Sequence, residues 1–167
     1  MPGVSVALTH EKTKETQTWQ YKKGLADYLL QSLTADPLIP LFEGEHYAEE
    51  GESDNNAEGE GAAWCVAFTE DGATLRESYV NLIPTVAGGT HEAGLKDGLF
   101  AAVKGFIDMH SLLPKGVKLM PEDVFSRASF VLSAKVLDPQ FQGQTKERLN
   151  SRCGWCRPAS SRRSNSG

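Results

Sequence analysis

Three short stretches of this 167-residue chain hold residue types whose spacing suggests chemistry. Cys153-Gly-Trp-Cys156 has the spacing of a redox dithiol or of half a zinc site. A redox pair needs a strand before it and a helix opening at its first cysteine, where the dipole lowers the thiol pKa. Here the flanks are rich in Arg and Ser and carry no periodicity, so the spacing reads as accidental. Zinc would want two more ligands. Cys65 lies in an expected core strand, and His10, His46, His91 and His110 are scattered. Each histidine reads as a surface or packing residue, and no metal site is expected. Gly88-Gly89-Thr90 precedes a long helical pattern. Free N–H groups at such a helix start bind anions, but two glycines equally serve a sharp turn's backbone angles. Without the spaced glycines of a dinucleotide fingerprint, the turn is the simpler reading. Gln144-Thr145-Lys146 lies in a polar stretch and, taken alone, reads as solvated loop. The chain has no G-x-x-x-x-G-K-[ST] phosphate loop, no G-x-S-x-G elbow and no H-E-x-x-H helix. These absences favour a binding or coupling module over a self-contained catalyst.

The elements that would position these residues follow from periodicity. Val4, Val6 and Leu8 alternate with polar or small neighbours, and Thr16 to Tyr21 alternates again, which predicts a half-buried hairpin. Leu25, Tyr28, Leu29 and Leu33 fall at helical spacing over 24–33, and Asp36-Pro37 with Pro40 ends that run. Trp64, Val66 and Phe68 predict a strand, Asp71-Gly72 a turn, and Leu75 to Ile83 its return. Residues 91–110 predict the longest helix, with Leu95, Leu99, Val103, Phe106 and His110 in one stripe and Thr90 as N-cap. Pro121 opens a short helix to Ser126. Ala128, Phe130, Leu132, Ala134 and Val136 alternate through a core strand that leads into the polar loop Asp138–Lys146. The order of elements predicts an α+β fold of two layers, a mixed sheet with helices on one face.

Composition sets the class. An apolar share of 40% and a charged share of 23% are ordinary for one globular domain. No stretch approaches the ~18 apolar residues of a membrane span, and the first residues lack the pattern of a signal peptide. Three cysteines, an odd number, argue against a disulfide framework, so a reducing cytoplasm is expected. The net charge of −5 is local in origin. Residues 43–60 carry eight acids and no Lys or Arg, and setting them aside leaves 14 acids against 17 Lys and Arg. That stretch is expected to be an acidic flexible loop.

Four stretches, in order, resemble one family. Trp19-Gln-Tyr-Lys-Lys-Gly-Leu-Ala-Asp-Tyr28 resembles the entry to the transducer domain of type IIA topoisomerase B subunits. Glu77-Ser-Tyr-Val-Asn-Leu-Ile-Pro-Thr85 and Gly88-Gly-Thr-His-Glu-Ala-Gly94 resemble its strand, turn and long helix. Asp138-Pro-Gln-Phe141 with Gly143-Gln-Thr-Lys-Glu-Arg-Leu149 resembles its final loop. Pro84, the Lys-Glu-Arg-Leu ending and Leu113-Pro-Lys-Gly-Val-Lys118 are similar to the topoisomerase IV branch more than to the gyrase branch.

The resemblance covers 1–152 and implies a transducer domain there, with a ribosomal protein S5 domain 2-like fold and a left-handed βαβ crossover. It implies coupling of ATP binding and hydrolysis in a preceding ATPase domain to DNA gate movement and strand passage. It also implies a following cleavage domain, the A subunit, a B-subunit dimer, DNA as partner, and ATP with Mg in the full-length enzyme. None of the catalytic residues would lie in this chain alone, which is expected to be inactive and to bind no cofactor by itself. Carried over by motif, Gln144 and Lys146 would reach the terminal phosphate of ATP in the neighbouring domain. Residues two apart in an extended loop point the same way, and lysine presents a compact charge suited to a phosphate. Gln144 would donate a hydrogen bond to that phosphate or orient the water.

Residues 153–167 depart from the family pattern and read as a disordered basic tail, Ser- and Arg-rich. Alternatives remain. One is the equivalent domain of the gyrase B protein. Another is a stand-alone nucleic-acid-binding module on the same fold, which would want a basic stripe with exposed aromatics. A small phosphotransferase using the Gly88-Gly89 turn would want a nucleotide motif.

Overall fold

The computed structural model describes residues 5–20 (backbone only at Trp19), 24–49, 58–70, 74–114 and 116–151. The Asp71-Gly72 turn, residues 50–57 of the acidic stretch and the tail 153–167 with its Cys-x-x-Cys lie outside them.

A five-stranded mixed sheet organises the chain. Its strands are β3 (Phe42–Tyr47), β4 (Gly61–Phe68), β5 (Arg76–Val80), β6 (Ile83–Pro84) and β7 (Ala128–Lys135), in the order β3-β4-β7-β5-β6. β7 is the middle strand, antiparallel to β4 and parallel to β5. Two parallel strands cannot be joined by a hairpin. Here the crossover carries β6, the long helix α2 (Thr90–His110) and the short helix α3 (Pro121–Phe125).

Both faces of β7 are buried, and this changes the expected layering. Ala62, Val66, Phe130 and Leu132 pack with Leu95 and Leu99 of α2 and Phe125 of α3. On the opposite face Cys65, Ala67 and Val131 pack with Ala26 and Leu29 of helix α1 (Leu25–Ser32). The α+β class and mixed sheet are as expected. The helices, however, do not all lie on one face: α1 covers the other. The unbroken run Phe130-Val131-Leu132 is the signature of a strand buried on both sides. α1 also carries one end of a polar tie, because Tyr28 and Tyr79 both donate hydroxyl hydrogen bonds to Glu77 Oε2, each at 2.8 Å. The bond to Glu77 raises the Tyr28 pKa, and burial first, then the same carboxylate, raises that of Tyr79.

Three further expectations are corrected. The acidic stretch does not begin as a loop: residues 42–47 form β3, paired with β4 from Phe42↔Val66 to Tyr47↔Gly61. β3 is an edge strand, where exposed charges such as Glu43 and Glu45 discourage pairing with another chain. Nor does the strand after Leu75 run through to Ile83. Asn81 and Leu82 have φ of 49° and 69°, and the chain folds back so that Val80 pairs Ile83. The Asn81 amide holds this turn. Its Nδ2 donates to Val136 O at 2.8 Å and its Oδ1 accepts from Val136 N at 3.0 Å, completing a strand-like pair. Lastly, the hairpin β1 (Ser5–Thr9) and β2 (Thr16–Gln20) forms with Ser5↔Gln20 pairing, but Val6 and Leu8 are 56% and 63% exposed. It forms a two-stranded sheet of its own, and a half-buried strand needs a second layer to bury it. Among the described residues no helix is long and apolar enough to cross a membrane.

Candidate functional site

Chain from Asp138 onward leaves β7 and folds into a second small hairpin. Its strands are β8 (Phe141–Gln142) and β9 (Arg148–Leu149), paired Phe141↔Leu149 and Gln142↔Arg148. The tip, residues 143–147, holds both candidate residues, and Gln144 and Lys146 are exposed there. The tip is not extended. Gly143 and Lys146 have φ of 77° and 55°, so the chain turns between them. Side-chain alternation therefore does not place Gln144 and Lys146 on one side. The Lys146 ammonium lies 5.9 Å from the centre of the Phe141 ring, within cation–π range at an exposed site.

An exposed tip stands on a buried base. Leu149 is fully buried with Val80, Ala134 and Val136, and Phe141 packs against the same cluster. Asn150 N donates to Gln140 O at 2.8 Å, and Gln140 N donates to Ser151 Oγ at 2.6 Å, closing the foot of the hairpin.

This base is also where Gly88-Gly89-Thr90 comes to rest. Leu149 N donates to Gly88 O at 3.1 Å and Ala87 N to Glu147 O at 3.0 Å. Gly89 and Leu149 form an isolated parallel bridge. Thr90 is not the expected N-cap. Gly89 holds that position, while the Thr90 hydroxyl donates to Ser151 O at 2.6 Å. Gly88 and Gly89 have φ of 67° and 143°, a backbone that only glycine adopts without strain. A Cβ on Gly89 would strike the Leu149 backbone, and one on Gly88 would lie 2.6 Å from Glu92 Oε2. The glycine pair thus serves a tight turn and a close backbone contact. The space an anion would need beside Gly89 is filled by Leu149, and a carboxylate already stands beside Gly88.

Behind the turn lies a polar cluster that sequence reasoning missed. Thr85 and His91 are buried, and the Thr85 hydroxyl donates to Ser78 O at 2.9 Å. That leaves its oxygen to accept from His91 Nε2–H, also at 2.9 Å. His91 Nδ1 is buried with no partner among the described residues, as suits a neutral ring. Burial pulls its pKa down to about 4, against the nearby Glu92 charge, which raises it. In the sequence His91 was one of four scattered histidines. Its position directly after Gly88-Gly89-Thr90 was the signal available.

An apolar cavity of about 350 Å³ opens between α2 and the sheet, walled by Phe42, Trp64, Val66, Leu95, Gly98 and Leu132 among others. Neither Gln144 nor Lys146 lines it. Among the described residues no cluster of His, Cys, Asp or Glu could hold a metal ion. The donors at the tip, an ammonium and a carboxamide, suit phosphate oxygens.

Residues 24–153 match the family described as DNA gyrase B. The B subunit of DNA topoisomerase 4 from Pseudomonas aeruginosa is 45% identical over 154 residues, 90% of this chain and 23% of that protein. Its counterpart of the same name from Escherichia coli strain K12 is 43% identical over 154 residues, with the same coverage of 90% and 23%. The chain thus spans about a quarter of the length of these relatives, 23%. Among solved structures, the topoisomerase IV ATP-binding domain of Francisella tularensis, in complex with a small-molecule inhibitor, superposes with a TM-score of 0.68 at 33% identity. That match covers 92% of this chain and 39% of that one. The 43K ATPase domain of Thermus thermophilus gyrase B, in complex with an aminocoumarin, shares the fold, with a TM-score of 0.74 at 20% identity over 90% of this chain and 38% of that one.

Proposed function

The chain belongs to the DNA gyrase B family of type IIA topoisomerase B subunits, and from that premise we propose that residues 1–152 are the transducer segment of a topoisomerase IV B subunit. In this reading the segment couples ATP binding and hydrolysis in a preceding ATPase domain to DNA gate movement. A following cleavage domain, the A subunit, a second copy of the B subunit and DNA complete the assembly, in the cytoplasm. The observation that carries the reading is the contrast within one hairpin. Gln144 and Lys146 stand exposed at its tip, while Leu149 at its base is fully buried beside the middle strand of the sheet.

That geometry suits a sensor. The contact of Lys146 with the Phe141 ring face at 5.9 Å is a weak one at an exposed site, so its ammonium can be drawn to a stronger charge without breaking the fold. ATP bound next door supplies that charge at its terminal phosphate. Lys146 neutralises negative charge on the transferring group, and Gln144 donates a neutral, weaker hydrogen bond to it or orients the attacking water. The hairpin stays docked while that charge persists and is released on hydrolysis, and its buried base passes the change to the sheet. This chain by itself lacks the rest of that site and turns over no ATP.

The test is Lys146→Ala in a B subunit carrying this segment. ATP hydrolysis should fall by roughly 10²-fold or more, as expected for losing a preorganised charge at the reacting group. Lys146→Arg should recover only part of it, because a planar fork places its charge differently. An unchanged ATPase rate in Lys146→Ala removes the coupling role from this loop.

A further inference from the structure

We infer that Gly89 and Thr90, at the first turn of α2, are positioning residues for Lys146: they clamp the base of the β8–β9 hairpin so that its tip and the long helix move as one body. The inference rests on the nucleotide-facing reading of Lys146 and adds what the tip is fixed to.

Four contacts make the clamp. Two are backbone bonds, Leu149 N to Gly88 O at 3.1 Å and Ala87 N to Glu147 O at 3.0 Å. The third is the Thr90 hydroxyl on Ser151 O at 2.6 Å. The fourth is the close approach of Gly89 to the Leu149 backbone, which no Cβ would permit. Glu147 is the residue next to Lys146, so the clamp begins one residue from the candidate ammonium. Backbone-to-backbone contacts of this kind leave no side-chain rotamer to absorb motion. The two backbone bonds take Glu147 O and Leu149 N, on either side of Arg148, so the hairpin cannot shift along the turn without breaking one of them.

On the other side of the clamp stands a helix of 21 residues, roughly 30 Å long at 1.5 Å per residue. Its N-terminal half is packed on the sheet through Leu95 and Leu99. Its C-terminal half is less covered, with Phe106 and Met109 exposed. A displacement at the hairpin tip therefore enters α2 at its packed end. Thr90 matters here as a donor, since Ser151 O is the carbonyl just past β9 and the hydroxyl ties it to the helix. Sequence order hides this link, because 61 residues separate Thr90 from Ser151.

Two measurements test it. In this chain, Thr90→Val removes the donor while keeping the side chain's shape. Amide exchange at Ala87 and Leu149 should speed up by roughly 5–10-fold, the value of one hydrogen bond, while exchange at Phe130 in β7 stays unchanged. In a B subunit carrying this segment, Thr90→Val should lower kcat for ATP by roughly 5–10-fold and move KM by less than about twofold, because the tip is misplaced and ground-state binding is not. Thr90→Ser, which restores the hydroxyl, should restore kcat. Gly89→Ala should act in the same direction more strongly; if it fails to fold, the Thr90 pair still decides. Unchanged exchange at Leu149 in Thr90→Val overturns the clamp. So does wild-type kcat in Thr90→Val where Lys146→Ala is slow. If Lys146→Ala itself retains full activity, the underlying reading of Lys146 is what has failed, and the positioning role falls with it.

Discussion

Among the described residues two small hairpins stand outside the main sheet, and they are opposites. β1–β2 has five residues in each strand and full pairing from Ser5↔Gln20 to Thr9↔Thr16. β8–β9 has two residues in each strand. The longer one leaves Val6 and Leu8 more than half exposed, whereas the shorter one buries Leu149 completely. Ladder length therefore does not measure how firmly a hairpin is held. A two-stranded ribbon is marginal in water by itself. What fixes β8–β9 is outside it: the apolar cluster of Val80, Ala134 and Val136, and the backbone of the α2 turn. Such a base holds the exposed tip in place.

Removing the base should break the contrast with the largest effect. Leu149→Ala takes a fully buried side chain out of its cluster with Val80, Ala134 and Val136 and leaves a cavity there. It should cost about 2–5 kcal/mol in global stability, read by chemical denaturation. A loss below about 1 kcal/mol would mean that β8–β9 is no better anchored than β1–β2.

A smaller effect should appear with pH. His91 is neutral and buried beside the turn that holds β8–β9, with its pKa lowered to about 4 from an ordinary 6.5. The unfolded chain takes up a proton near the ordinary value while the folded chain resists it. His91 therefore contributes its full stability above about pH 6.5, and that contribution is lost as pH falls towards 4. The loss across this window should be on the order of 2–3 kcal/mol. NMR titration of the His91 ring is the direct check. A ring that titrates near 6.5 in the folded chain would mean the site is open to water. In that case the base of β8–β9 would be looser than its contacts suggest.

Much of the fold was legible in the sequence, and the failures have physical causes. α1, α2, β4 and β7 announce themselves because one face of each repeats apolar residues at the right period. β3 did not, because an edge strand exposes most of its side chains and Glu43 and Glu45 look like loop. Its Gly44, which reads as a breaker, is required because a Cβ there would lie 2.7 Å from the Trp64 ring. The β5–β6 turn was hidden because Asn81-Leu82 lacks the glycine that usually marks such a turn; Asn81 instead bonds to Val136, 55 residues away. The placement of α1 was missed because Val131 falls on what periodicity takes for the polar side of β7. The candidate site was less legible still. Gln144 and Lys146 carry no local signal and were found only through resemblance to a family. Their connection to Gly88-Gly89-Thr90 is a tertiary contact, invisible to any window along the chain.

The smallest expected effect lies on the other hairpin. Leu8 is 63% exposed and pairs across the ladder with Gln17, a polar partner. Truncating it leaves no cavity, since water already covers most of the side chain. Its remaining contribution is the preference of a large side chain for a pleated surface, worth a few tenths of a kcal/mol at an exposed site. Leu8→Ala should therefore stay within about ±0.5 kcal/mol of the parent chain in denaturant unfolding. The amides of β1–β2 should also exchange through local opening, well before global unfolding, because the described residues provide no second layer over them. Both readings sharpen the comparison with Leu149→Ala, the same chemical change on the shorter hairpin. If Leu8→Ala costs more than about 1.5 kcal/mol, another part of the chain must cover β1, and the difference between the two hairpins disappears. If the two variants differ by several kcal/mol as expected, anchorage resides in tertiary contacts and not in strand pairing.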